Sequence, residues 1–355
     1  MLKQIACLFV LVTVAGCGGA SGTKSALQPP VTLPAPNGTQ RTINGYPVFD
    51  PGAVSRPADI AHVSPTQLRP ASGAVVDLLR SELRQMRAIG RRPSASFGGS
   101  VNDGHGQDGF FISATFDANH AGMEFVHTVW VPNTDVTLNQ PPASNYNGYF
   151  LYAPTTHPVQ SCIEVGTAYH TSPPPYATGT DSYVYFFDFC NNGATGNVYT
   201  NDSTFRGTYN FWDSNINAPA IDVLVTTAGT SLSAPDWYAY VWNTTTYSWN
   251  LLYSRTYATR QSGLTPPTSG WSIFEPNFQD QPTAQACKQY HTPQFAADYI
   301  RFVNPSNGTT TYVDSSNSTR TTAGACVTAD STGAASYNFL VDQANWRWEA
   351  YANGN

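Results

Sequence analysis

The chain reads as all-β: an antiparallel β-sandwich preceded by a short helical segment. Three observations predict this. From about Phe97 onward, short runs rich in Val, Thr, Tyr, Phe and Trp alternate with clusters of Gly, Pro, Asn and Asp, the pattern of strands and turns. No helical periodicity interrupts those runs, so the strands are expected to pair antiparallel, without crossover helices. No fixed repeat of roughly 20–50 residues recurs, which argues against a propeller or a solenoid.

Ahead of that region the chain changes character three times. Met1–Gly16 combines Lys3 with an apolar stretch from Ile5 to Ala15 and small residues before Cys17, the layout of a cleaved secretory signal. Val14-Ala15-Gly16-Cys17 is similar to the bacterial lipobox. That likeness implies a lipid on Cys17 and a domain held at the cell envelope, at the outer membrane or the cell surface. No other apolar run approaches the ~20 residues of a membrane span. Residues 17–63 are rich in Pro, Gly, Ser and Thr without a sustained period and are expected to form a tether. Residues 64–96 differ. Val76, Leu79, Leu83 and Met86 recur at helical spacing, with Arg80, Arg84 and Arg87 on other faces, and predict one amphipathic helix from about Gly73 to Ala88. Six of the 17 basic residues fall between Arg69 and Arg92. Such a segment is either a solvated lead into the domain or a basic cover over an acidic groove, as a propeptide would be.

Residues 97–355 form the predicted sandwich, one domain of roughly 250 residues. Its expected strands include "GFFISATFDA", "EFVHTVWVP", "GYFLYAP", "VQSCIEVGTAY", "SYVYFFDF", "IDVLVTTAG", "WYAYVWN", "YSWNLLYSRTY", "GWSIFEP", "YIRFVNP", "TTYVDS" and "YNFLVD". Of the chain's 17 Lys and Arg, 7 lie after Phe97, against 19 of its 23 Asp and Glu. The domain is therefore acidic by 12, with no basic stripe to neutralise phosphates, and nucleic acid is excluded as a partner. Few ion pairs to lose on acidification suits a protein that works at low pH. Setting aside Cys7 and Cys17, four cysteines remain, an even set suited to two disulfides in an oxidising compartment. Three pairings exist; local closure, Cys162–Cys190 and Cys287–Cys326, is preferred. Neither pair has the spacing of a zinc site, and the seven histidines are scattered, so no metal is expected. His127, in "FVHTVWVP", reads as a strand residue with a satisfied ring.

Only four of the 19 acids are glutamates: Glu124, Glu164, Glu275 and Glu349. Strand alternation sorts two of them. In "PVQSCIEVG" it puts Gln160, Cys162 and Glu164 on one face and Ser161, Ile163 and Val165 on the other. In "GWSIFEP" it groups Trp271, Ile273 and Glu275. A carboxyl among such neighbours loses hydration, which raises its pKa unless donors compensate, and desolvated acids cluster at catalytic sites.

Those segments carry a resemblance. "FVHTVWVPN", "YFLYAPTTHPVQSCIEVGTAY" followed by "SYVYFFDF", "DWYAYVWNTTTYSW", "SGWSIFEPNFQ" and "FAADYIRFVN" are similar, in this order, to segments of the eqolisin family of glutamic peptidases, and the likeness spans residues 105–315. It implies an acid-acting endopeptidase with a polypeptide substrate and no cofactor. Carried over by position, Glu275 would be the general base that activates water, and Gln160 the amide that holds the water and stabilises the oxyanion. Tyr183, Tyr185, Phe187 and Trp271 would line the substrate groove. "YVYFFDF" lacks the glutamate and tryptophan of the family's aromatic strand, and "YFLYAPT" replaces a Trp-Val-Gly-Ile-Asp-Gly element; these departures bear on the substrate cleft, so the expectation extends to a changed cleavage preference and to altered or lost activity. "SCIEVG" also looks like the Ile-Glu-x-Gly segment of the neprosin group, which implies Glu164 in place of Gln160 as the partner of Glu275.

Other readings fit the same residues. Taken singly, Gln160 suits a residue satisfying backbone groups at a sheet edge, and Glu164 a solvated side chain. A lectin-like, carbohydrate-binding sandwich would present Tyr and Trp as an exposed flat strip, and a glycosidase would use Glu164 and Glu275 as a carboxylate pair. The sandwich is expected to be of the concanavalin A-like, jelly-roll type, and the domain to be monomeric.

Overall fold

In the computed structural model the described residues are 42–48, 68–77, 79–80, 106–138, 150–171, 179–190, 196–228, 233–259, 268–277, 290–324, 337–342 and 347–352. Among them the expected sandwich is present. A larger sheet contains β4 (Gly122–Thr128), β10 (Phe211–Asp213), β11 (Ala218–Ala228), β12 (Asp236–Asn243), β13 (Ser248–Arg255), β16 (Phe295–Val303), β17 (Thr310–Tyr312), β19 (Tyr337–Asp342) and β20 (Arg347–Ala352). A smaller one contains β3 (Gly106–Ile112), β6 (Phe150–His157), β7 (Ile163–Thr171), β8 (Thr180–Asp188), β9 (Val198–Thr200), β14 (Gly270–Asn277) and β18 (Ser318–Gly324). Two short pairs, β1 (Thr42–Ile43) with β2 (Tyr46–Pro47) and β5 (Thr137–Leu138) with β15 (Tyr290–His291), lie outside both. The larger sheet runs β13-β12-β11-β4-β16-β20-β19, with β10 beside β11 and β17 beside β16; the smaller runs β18-β3-β14-β6-β7-β8-β9. Pairing within both is antiparallel, as the absence of crossover helices predicts.

Period-two alternation decides which side chains fill the space between the sheets. From the larger sheet come Met123 and Phe125, Val223 and Val225, Phe302 and Trp348; from the smaller come Phe110, Leu151, Val165, Phe186 and Phe274, all fully buried. One polar chain crosses this core. His127 Nε2 lies 2.7 Å from Thr156 Oγ1, Thr156 Oγ1 donates to Ser272 Oγ at 2.9 Å, and Trp348 Nε1 donates to the same Ser272 oxygen at 3.1 Å. Since Thr156 donates onward, the imidazole donates to it from Nε2–H. The two sheets are thus tied together through β4, β6, β14 and β20.

Several buried carboxylates are paired with arginines. Arg301 bonds Glu124 within the larger sheet, and Arg255 and Tyr253 bond Asp188. Arg320 embraces Asp108 at 2.6 and 3.1 Å. The disulfide Cys162–Cys190 forms as expected, with Cα atoms 5.3 Å apart. It joins the turn ahead of β7 to the end of β8. Cys17 and the pair Cys287–Cys326 lie outside the described residues.

Three features differ from the sequence expectation. Within residues 17–63, the stretch 42–48 is a hairpin whose Val48 bridges Trp212 of β10, so this part of the tether is docked on the sandwich. A helix, Ser203–Tyr209, interrupts the strands. Asp202 caps it by accepting from the Thr204 and Phe205 amides at 2.9 and 3.0 Å, and it buries Phe205 and Tyr209, a capping arrangement typical of helix starts. β18 and β20, in "STRTTAG" and "RWEAYA", and the short β5, β9, β10 and β15 are strands that the sequence expectation does not name. Residues 73–77 and 79–80 are helical, inside the predicted Gly73–Ala88 helix, the rest of which lies outside the described residues. Among the described residues no helix is long and apolar enough to cross a membrane.

Candidate functional site

The smaller sheet has apolar residues on both faces, and its outer one is the unusual one. Alternation in "SYVYFFDF" sends Val184 and Phe186 to the core and Tyr183, Tyr185 and Phe187 outward. On β14, Phe274 points into the core, while Trp271 and Ile273 join the outward tyrosines, and Glu275 follows their parity. On β7, Ile163 and Val165 face the core, leaving Glu164, Gly166 and Ala168 on the outer side. Tyr152 and Ala168 belong to the same outer cluster. The outer face therefore brings Glu164, Glu275, Trp271, Tyr183, Tyr185 and Phe187 onto one surface.

Register fixes their relative positions. Glu275 pairs with Tyr152, which pairs with Ala168. Trp271 pairs with His157, and Thr156 with Val165, which sets Glu164 beside His157. Glu164 and Glu275 are thus two strands apart and two same-face steps along. On a flat lattice that is about 16 Å between Cα atoms, and Ile273 with the Tyr152 and Tyr185 rings shares the face between them. Both are buried, Glu164 at 0 % and Glu275 at 7 % exposure.

Glu164 is held from two sides. Trp271 Nε1 donates to Oε2 at 2.8 Å, and Tyr185 Oη lies 3.1 Å from Oε1 and 3.0 Å from Thr155 Oγ1. Such donors offset the cost of burying a carboxyl. The Trp271 indole is fixed in turn by stacking on His157 at 4.4 Å and by the edge of Phe189 at 5.8 Å. Gly166 makes this arrangement fit: a Cβ there would come within 2.4 Å of Tyr185 Oη. Burial pushes the Tyr183 phenol above its ordinary pKa, with Asp181 adding to the rise and Arg69 opposing it.

Gln160 is placed differently. β7 starts only at Ile163; Pro158 to Ser161 form the turn after β6, in which Gln160 is half-buried with φ +52°. The strand parity expected to align Gln160, Cys162 and Glu164 therefore fails. Cys162 lies in the inter-sheet core with Ile163 and Val165, and Gln160 sits at the tip of the β6–β7 hairpin, beyond Glu164 as seen from Glu275. Pro158 and the Ser161 side chain, whose Oγ accepts from the Ile163 amide at 2.7 Å, are the turn signals that "HPVQS" carried. Tyr152, Thr155 and His157 escaped the sequence reading because the register of β6 shifts between Tyr152 and Thr155, at a proline with no N–H for the ladder.

Among the described residues the one close group of potential metal ligands is Cys162, Asp188 and Cys190; its two sulfurs are bonded to each other and offer no thiolate.

No family model matches the chain, and no curated protein matches it. Among solved structures it is similar to scytalido-glutamic peptidase crystallised with a peptide-based transition-state analog, at 10% identity and a TM-score of 0.35, over 70% of this chain and 98% of that one.

Proposed function

We propose that the protein is a glutamic endopeptidase in which Glu164 and Glu275 act together on the outer face of the smaller sheet. The observation that carries this is Glu164, a fully buried carboxyl oriented by Trp271 and Tyr185 on the same face as Glu275. Retaining a desolvated acid without a task costs several kcal/mol that an apolar residue would save.

In the mechanism we infer, Glu275 takes a proton from a water whose oxygen attacks the scissile carbonyl carbon. Glu164, in its carboxylic-acid form, donates to the developing oxyanion, and the proton held by Glu275 passes to the amine as the C–N bond breaks. Carboxyls placed in different surroundings divide the acid and base roles between them. Gln160 has no part in this scheme, since the hairpin tip holds it away. Export, lipid attachment at Cys17 and a place in the cell envelope belong to the same proposal and rest on the N-terminal sequence.

A glycan-binding surface needs exposed aromatic rings. On this face Tyr183, Tyr185, Phe187 and Trp271 are buried, at 7 % exposure or less, which favours a covered groove over a flat platform. The test is digestion of a denatured protein at pH 3–5 by the full chain, preincubated at that pH until any self-processing is complete. Glu164→Gln and Glu275→Gln should each lower the rate by about 100-fold or more, and Gln160→Ala should leave most of it. Undiminished cleavage in both glutamate variants sinks the proposal; loss in Gln160→Ala alone restores the amide as the partner. Hydrolysis of a polysaccharide but not of protein would turn the same carboxyl pair into a glycosidase.

A further inference from the structure

The segment 69–80 meets this face at two places. Its first part is extended and adds to the sheet: the Ala71 amide donates to Val198 O at 2.9 Å, the Thr200 amide donates to Arg69 O at 3.1 Å, and Pro70 bridges Tyr199 antiparallel. The chain then becomes helical, with the Val76 amide donating to Ser72 O at 3.0 Å. Leu79 is fully buried in the outward cluster formed by Tyr152, Tyr183, Tyr185, Phe187, Trp271 and Ile273, with Val75 and Val76 packed against it. The contact is apolar. Arg80 does not reach for the acidic face but pairs with Asp77 of its own helix at 2.8 Å.

We propose that residues 69–80 occlude the face as an intramolecular ligand, and that the pocket filled by Leu79 receives a large aliphatic side chain of the bound polypeptide once the segment has left. This deepens the peptidase reading and rests on it for the identity of the ligand. An extended peptide paired with a sheet edge is a common way for a polypeptide to bind, and Arg69–Ala71 adopts it on β9. The helical continuation explains why the segment blocks instead of reacting. Its carbonyls are turned into helical hydrogen bonds, so its peptide bonds are not laid out extended toward the carboxyls. Leucine in an apolar, ring-lined pocket also predicts selection by size and shape over charge.

The experiment uses the full chain carrying Leu79→Asp, with Leu79→Ala as a milder variant and Glu164→Gln added to prevent self-cleavage. Backbone hydrogen exchange of residues 71–80 is followed at pH 5, and a synthetic peptide of residues 68–80 is titrated into the variant. Expected are at least tenfold faster exchange of that segment, with β6, β8 and β14 unchanged, and binding of the peptide in trans. A peptide with aspartate in place of leucine should bind at least tenfold more weakly, from the loss of one buried aliphatic side chain. If Leu79→Asp fails to fold, the exchange in Leu79→Ala and the two peptides compared on it decide the matter. Unchanged exchange, or equal affinity for both peptides, overturns the inference. A variant that opens and binds the leucine peptide while its Glu164 counterpart cleaves nothing supports the occlusion and counts against the peptidase.

Discussion

At the scale of single residues, the site depends on a missing side chain. Gly166 leaves space for the Tyr185 ring to cross β7 and bring its hydroxyl to Glu164 and Thr155. The backbone there does not need positive φ, so Gly166→Ala adds one methyl and no strain. That methyl would overlap the phenol and push it off Glu164. We expect the unfolding free energy to fall by about 1–3 kcal/mol, the cost of one lost bond to a buried acid, and peptide cleavage to drop at least tenfold. Tyr185→Phe should reproduce the catalytic loss without the clash. Urea unfolding beside steady-state cleavage of the same samples checks both. If Gly166→Ala is fully active, Tyr185 does not orient Glu164.

At the scale of elements, β7 and β8 form a hairpin closed at its far end by Cys162–Cys190, whose sequence separation is 28. Closing a loop of that size is worth about 3–4 kcal/mol in the chain-entropy account. Replacing both cysteines by alanine should cost an amount of this order, measured by denaturant unfolding, and loosen the turn before Glu164. This hairpin also shows what the sequence could and could not tell. Alternation within "IEVGTAY" and "GWSIFEP" correctly opposes Glu164 to Ile163 and Val165, and groups Glu275 with Trp271. It failed one step earlier, because parity was extended through Pro158–Ser161, where the chain turns and Gln160 takes a left-handed backbone. Periodicity is a property of a strand and carries no information across its end. The bulge at Pro154 hid Tyr152 and Thr155 for the same reason. The spacing of Val76 and Leu79 announced a helix with an apolar stripe, yet nothing local says which surface such a stripe will cover.

At the scale of the whole molecule, the pH dependence of stability is influenced by what lies between the sheets. His127 is completely buried, and desolvation lowers its pKa from 6.5 to about 3. The folded state therefore refuses a proton that the unfolded chain accepts below about 6.5. Stability drops as the pH falls from there toward 3 and stops dropping below it. Between pH 7 and pH 4 this is on the order of 3 kcal/mol. Asp298 acts in the opposite sense: burial raises its pKa, so what it contributes is present in acid and is lost as the pH rises through its folded value. His127→Gln keeps a polar partner for Thr156 and removes the titrating ring. The gap in unfolding free energy between pH 7 and pH 4 should shrink by about 3 kcal/mol in that variant; an unchanged gap would mean that other groups govern the acid limb.

The strip of backbone along β9 has one more implication. While Arg69–Ala71 lies there, the margin of the smaller sheet is closed by the protein's own chain. Cutting that strip away would bare unsatisfied amides and carbonyls, a template that any extended chain can join. Such a cut would create an adhesive rim at the same instant as it opens the pocket. Local crowding would decide whether foreign peptides or sister molecules arrive first.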